Sequence, residues 1–288
     1  MKLNQYKAFA LIFVLSSIGT FTQAADITVK KVTGPLPTSP LAAVWQQAPA
    51  TDVAVAPQQM TTPKLAKASI SKITAKALTD GKSITWRVSW ADPAPDFNVD
   101  VGRFSDAVAI ELPLTKFAAP MMGHRGGGKV QIIYWRGLWQ KDIDEGFQDV
   151  QNVHPNYLNN LYWFANDNKR PYHVPESFQN PVSQQWFIAH QAGNPMATFS
   201  RSEPAQELIA EGWGTLTNQP ESATTAKGVW KDGSWAVIFT RPLNTNDPND
   251  YQFSQGEKGQ IAFAVWQGGD GNRGARKHWS FWTAYQMP

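Results

Sequence analysis

Two short segments hold side chains that could do chemistry beyond packing. The first is Pro120-Met121-Met122-Gly123-His124, followed by Arg125, three glycines and a strand-like run from Val130. A methionine thioether is soft and polarisable and can bind iron or copper. A methionine pair at the mouth of a glycine loop is therefore either core filler or a metal donor. The second is Gly268-Gly269-Asp270-Gly271-Asn272-Arg273-Gly274-Ala275-Arg276-Lys277-His278-Trp279. Its glycines deliver Lys277 to an aromatic stretch in which period-two alternation places Lys277, Trp279 and Phe281 together. A lysine on such a face either guards a sheet edge or has its amine engaged in an apolar pocket, where its pKa falls.

Other chemistries lack their parts. The chain has no cysteine, which excludes a disulfide framework, a thiolate zinc site, an iron–sulfur cluster, covalent c-type haem and a cysteine nucleophile. No G-x-S-x-G occurs, and none of the five histidines forms an H-x-x-x-H pair. Carboxylates are scattered; a glycosidase reading would need two of them, such as Asp92 and Glu111, to face each other. No catalytic residue is assigned.

The elements that must position the two segments read as follows. Lys2 and Lys7 precede an apolar run, Ala8 to Val14, and Thr22 and Ala24 suit a cleavage point. Residues 1–24 thus have the layout of a signal peptide, leaving 25–288 as one domain expected in the periplasm. No other apolar stretch approaches the ~18 residues of a membrane span. Charge is nearly balanced, 26 basic against 23 acidic residues, which speaks against nucleic acid as a partner. The 13 tryptophans suit a β-rich core, a sugar-binding face or the wall of a flat aromatic cofactor.

Period-two alternation over Ser83 to Trp90, with Asp80-Gly81 before it, predicts a hairpin with 70–78. Strands are also expected at 26–32, 107–112, 130–135, 261–266 and 277–284. A second Asp-Gly hairpin is expected across 229–240, ending at Arg241-Pro242-Leu243 because proline cannot continue a central ladder. The proline-rich residues 33–65 read as extended surface chain. A short helix is expected at 203–211, capped by Ser202 and ended by Gly212. Residues 140–200, polar and aromatic with weak periodicity, read as a long insertion. The fold class is mainly β: an antiparallel β-sandwich with a few short helices and a long insertion.

Several landmarks stand in order: Trp90-Ala91-Asp92, Phe104-Ser105-Asp106-Ala107-Val108-Ala109, Pro120 to His124, Ile132-Ile133-Tyr134-Trp135, Gly212 to Thr217, Gly228 to Trp235, Phe239 to Leu243, and Ile261 to Trp266 with Gly268, Arg273 and Lys277. As a set they resemble the haem-b-binding gamma subunits of the ethylbenzene dehydrogenase group, which includes those of dimethylsulfide dehydrogenase, selenate reductase and chlorate reductase (type II dimethylsulfoxide reductase complexes). The resemblance covers roughly residues 70–285. It implies a β-sandwich with one non-covalent haem b per chain, held by methionine and lysine axial ligands. The methionine before the glycine is Met122, with Met121 as the alternative; the lysine is Lys277. His124 and His278 lie within two residues of these and keep a histidine ligand in play.

The implied partners are a molybdopterin catalytic subunit, an iron–sulfur subunit and a soluble cytochrome or similar carrier. The chain itself would be a non-catalytic electron-transfer subunit. Thioether ligation favours Fe(II), and lysine must bind as the neutral amine. Arg125, Lys129, Arg273 and Arg276 flank the two segments as candidate partners for haem propionates. The competing reading is a secreted, tryptophan-rich carbohydrate-binding β-sandwich.

Overall fold

The computed structural model describes residues 26–148, 150–156, 181–194, 197–198 and 200–288. The expected signal peptide lies outside these residues, as does much of the 140–200 insertion. The insertion's described part contains helix α1 (Gly137–Glu145) and helical turns at 150–153, 181–184 and 188–191. No helix among the described residues is long and apolar enough to cross a membrane.

Both expected hairpins form. Strands β4 (Lys72–Thr79) and β5 (Ser83–Ala91) pair antiparallel. Asp80 Oδ1 closes their turn by accepting the N–H groups of Lys82 and Ser83, and Gly81 supplies φ +91°. Strands β10 (Thr225–Lys231) and β11 (Ser234–Pro242) are joined by Asp232-Gly233, both left-handed, as a two-residue primed turn requires. β11 ends at Pro242 as expected.

The remaining strands are β1 (Ile27–Lys31), β2 (Thr51–Ala54), β3 (Ala56–Pro57), β6 (Ala107–Pro113), β7 (Val130–Arg136), β8 (Ala205–Ala210), β9 (Thr217–Asn218), β12 (Lys258–Trp266), β13 (His278–Trp279) and β14 (Thr283–Gln286). Their principal order is β10-β11-β5-β4-β1-β14-β12-β6-β7-β8-β9, a large curled sheet whose two halves enclose the core as in a sandwich. Trp86, Val88 and Phe239 from one half share a buried cluster with Ile110, Trp135 and Phe263 from the other.

Four expectations are corrected, the last of them at 277–284. The sheet is mixed: β1 runs parallel to both β14 and β4, while every other described pairing is antiparallel. Residues 33–65 do more than cross the surface. They carry β2 on the edge of β4 and bury Trp45, Val53 and Val55. Residues 205–210 are strand β8, paired in full with β7, where a helix was expected. Ala-Gln-Glu-Leu-Ile-Ala is a good helix former, but six residues are too short to be stable alone, and the open edge of β7 supplies a ladder. Glu207 then points inward, buried, and accepts the Thr224 hydroxyl.

The expected strand at 277–284 is broken by a bulge. Ala264 faces Trp279 and Val265 faces His278, whereas Ile261 faces Thr283. The pairing has slipped by one residue between the two strands. Ser280 holds the break: its Oγ accepts the Phe263 N–H and donates to the Phe281 carbonyl. Phe281 is thrown out to solvent, 68% exposed, and Trp282 turns to the face of Lys277 and Trp279.

Candidate functional site

Strands β12, β6, β7 and β8 form a layer with two unlike faces. Val108, Ile110, Ile133, Trp135, Phe263 and Val265 point into the sandwich. The alternate residues Ala107, Ala109, Ile132, Leu208, Ala210 and Ala264 make a second, outward cluster joined by Trp266. Four of these positions are alanine, so the outer face is a shallow apolar floor. Glu111 is set into it, between Ala262 and Ile132 in the register.

Two straps cover this floor, and they are the two segments singled out by sequence. Residues 114–129 link β6 to β7, and residues 267–282 link β12 to β14. Met122 and Trp282 pack onto the alanine floor. Trp282 Nε1 donates to the Ala118 carbonyl at 2.9 Å, tying the straps together.

Met122 has φ +64°, a left-handed conformation that costs a non-glycine residue roughly 1–2 kcal/mol. Its backbone is held from both sides. The N–H donates to Glu111 Oε2 at 3.0 Å, and the carbonyl accepts the Gly212 N–H at 2.7 Å. Gly123, also left-handed, must be glycine, because a Cβ there would lie 1.9 Å from the Gly128 carbonyl oxygen. Met121 is buried.

Lys277 enters β13 on the outer side. Gln58, itself buried, fixes its approach: the Gln58 N–H donates to the Lys277 carbonyl and Nε2 to that of Ala275, each at 2.9 Å. Lys277 Nζ lies 5.2 Å from the centre of the Trp266 ring. Burial pulls its pKa below the usual lysine value, opposed by the charge of Glu111. Burial pushes Glu111 up to about 7, opposed by the Met122 N–H and by Lys277. Met122 and Lys277, 155 positions apart, therefore converge on one carboxylate on one face.

The histidines are placed otherwise. His278 points inward and is fully buried; its Nε2 accepts the N–H groups of Ser69 and Ile70 at 3.0 and 3.2 Å, so that nitrogen is spent. His124 is exposed, and its ring lies against Gly128. Asp92 is bonded to Gln267 in the core region and does not join Glu111. Among the described residues no three His, Asp or Glu side chains gather as a metal-binding group.

The four basic residues divide. Lys129 Nζ is bonded to Asn249. Arg273 lies over the Phe104 ring and donates to Gly271. Arg125 lines an open cleft of about 460 Å³ with Lys129 and Glu211. Arg276 differs: its Nε is buried without a partner, as are both amide atoms of neighbouring Asn272. Neither Met122 nor Lys277 lines this cleft, the one at Asp100 and His154, or the one at Arg87 and Trp235.

The residues present fit a flat, apolar, iron-bearing macrocycle. The alanine-floored face is apolar, a thioether and a depressed-pKa amine are suitable donors, and the orphan N–H donors of Arg276 and Asn272 suit a carboxylate. Part of the tryptophan richness belongs to the sandwich core, where Trp235 lies 5.0 Å from Trp135 and 6.2 Å from Trp90, while Trp266 and Trp282 lie on the outer face. Sequence reasoning named Glu111 only as a possible partner of Asp92, and missed Gln58, the alanine floor and the place of Glu111 beneath Met122. The floor was visible as the small–large alternation of Ala107-Val108-Ala109-Ile110 and Ala262-Phe263-Ala264-Val265.

A family model described as ethylbenzene dehydrogenase matches residues 42–278. The putative respiratory nitrate reductase heme subunit ORF7 of Haloferax mediterranei is 24% identical over 284 residues, covering 96% of this chain and 79% of that protein. The chlorate reductase subunit gamma of Ideonella dechloratans is 24% identical over 255 residues, covering 87% and 80%. Among solved structures, a family 9 carbohydrate binding module from Caldicellulosiruptor kristjanssonii in complex with glucose aligns with TM-score 0.38 at 7% identity, covering 92% of this chain and 96% of that one. A putative carbohydrate-binding protein from Bacteroides uniformis aligns with TM-score 0.41 at 8% identity, covering 92% and 100%. Likenesses that faint transfer no ligand.

Proposed function

The chain belongs to the ethylbenzene dehydrogenase family, and from that premise we propose that it is the haem b electron-transfer subunit of a periplasmic molybdenum oxidoreductase complex. It would pass electrons between an iron–sulfur subunit and an external carrier such as a soluble cytochrome, and perform no substrate chemistry itself. The named relatives, a nitrate reductase heme subunit and a chlorate reductase gamma subunit, support this reading. The observation that carries it is the meeting of the Met122 and Lys277 straps on one alanine-floored face.

A bound haem b would supply single-electron transfer, and with its iron held by two protein donors would take no substrate. Met122 and Lys277 would hold that iron. Burial beside Trp266 lowers the cost of presenting Lys277 as a free amine, the form a metal ligand needs. The left-handed Met122-Gly123 turn aims the thioether, and Gln58 anchors the lysine strap. Arg276 and Asn272 offer donors to propionates.

The test is the spectrum of the purified chain expressed with its leader. A Soret band and a pyridine haemochrome of the b type are expected. A colourless protein that takes up no haem on titration would sink the reading.

A further inference from the structure

Glu111 stands out on the outer face. It is 8% exposed, on a floor otherwise built of alanine and larger apolar side chains. A carboxylate in such a place is retained against a desolvation cost, so its contacts define its use. Oε2 accepts the Met122 N–H at 3.0 Å, and Oε1 has no hydrogen-bond partner. The charged group facing it is Lys277. The bond from Met122 holds a residue whose backbone is left-handed without being glycine. Glu111 itself is fixed by the ladder, since its strand pairs with β12 on one side and β7 on the other. A rigid strand thus reaches up, through one side chain, to the turn that aims the thioether.

We propose that Glu111 is the positioning residue of the methionine ligand: its carboxylate holds the Met122 backbone in the one conformation that directs the thioether to the iron. This rests on the haem reading above. The residue touches neither iron nor substrate and acts through Met122. What it needs is an acceptor oxygen at the end of a two-methylene stem; the negative charge is secondary.

Two conservative variants separate reach from charge. E111Q keeps stem and acceptor and removes the charge. E111D keeps the charge and withdraws the acceptor by one methylene. Purified holoprotein is read by the long-wavelength thioether-to-ferric-iron charge-transfer band and by the rate of haem loss to an excess of apomyoglobin. Melting of each apoprotein reports folding. E111Q should keep the band and lose haem within about twofold of wild type. E111D should lose most of the band and release haem about tenfold faster or more, the scale found when a partner that orients a ligand is removed. An E111D protein with an unchanged band, or an E111Q protein that loses it, overturns the proposal. So does a wild-type protein with a Soret band but no thioether band, which leaves the haem reading standing. A wild-type protein without haem takes down both.

Discussion

On the inner side of β6, Val108, Ile110 and Leu112 are fully buried; one residue along, the same strand presents Ala107, Ala109 and Glu111 to the outer side. β12 repeats the contrast, with Phe263 and Val265 inward and Ala264 and Trp266 outward. Two carboxylates of β6 and its approach differ as well. Asp106, inward, is saturated by the N–H groups of Asp96 and Gly268 and by Trp235 Nε1. Glu111, outward, has an oxygen to spare. The inner face uses volume to exclude water, whereas the outer face withholds volume. Backbone pairing serves both at once, so the ladder that stabilises the sandwich also fixes the floor of the site.

This contrast is broken most forcefully from the inside. Phe263 is 2% exposed and central to the sandwich cluster, and Phe263→Ala should cost about 3–5 kcal/mol in a urea titration of the apoprotein. The folded fraction should keep its haem spectrum, because the side chain removed faces away from the site. A spectrum altered in step with stability would show that the two faces are not separable.

Lys277→Ala tests the other side, with the opposite signature. The apoprotein should melt no lower than wild type, since the change removes an ammonium that burial penalises. Haem affinity should fall by about 100-fold, and the reduced iron should bind carbon monoxide. Wild-type haem retention should also weaken on acidification. As a ligand Lys277 would have to be the free amine, and burial lowers its pKa below the ordinary lysine value. Retention should therefore be level above that lowered pKa, and fall by about tenfold per pH unit below it as the proton competes for the nitrogen. A Lys277→Ala protein with an unchanged low-spin spectrum that excludes carbon monoxide would refute the ligand assignment.

Much of this was legible from the sequence, and the failures have physical causes. The two Asp-Gly hairpins and the strands at 107–112, 130–135 and 261–266 follow from turn chemistry and period two, both local. The Met122 and Lys277 segments stood out by their glycines, while the donor roles proposed for them came only with the family resemblance. Residues 205–210 misled because local propensity favours a helix while the exposed edge of β7, distant in sequence, decides for a strand. Glu111 was named only as a possible partner of Asp92, and its bond to Met122 was invisible because nothing local separates a carboxylate beneath a strap from one in water. The bulge was invisible because Ser280 acts through the Phe263 N–H, 17 residues away.

That bulge carries the smallest effect and the most specific one. Strict alternation would have sent Trp282 to the side of His278, into the sandwich. The extra residue at Phe281 reverses it, and Trp282 lands on the alanine floor with Nε1 bonded to the Ala118 carbonyl. Trp86, an inner tryptophan, has a buried Nε1 with no partner: its ring is there for volume. Trp282 combines a ring over the floor with a polar tie between straps. Trp282→Phe keeps an aromatic ring and deletes the tie, so it should cost about 1 kcal/mol. Because both ends of the bond lie on straps, this cost should appear in local opening more than in global unfolding. Hydrogen exchange should quicken over 114–123 and 279–283 while the amides of β5 and β11 stay as protected as in wild type. Haem loss should accelerate by about fivefold, matching the same free energy. Uniform acceleration of exchange across both halves of the sheet would mean that Trp282 belongs energetically to the core, and that the outer face is merely its periphery.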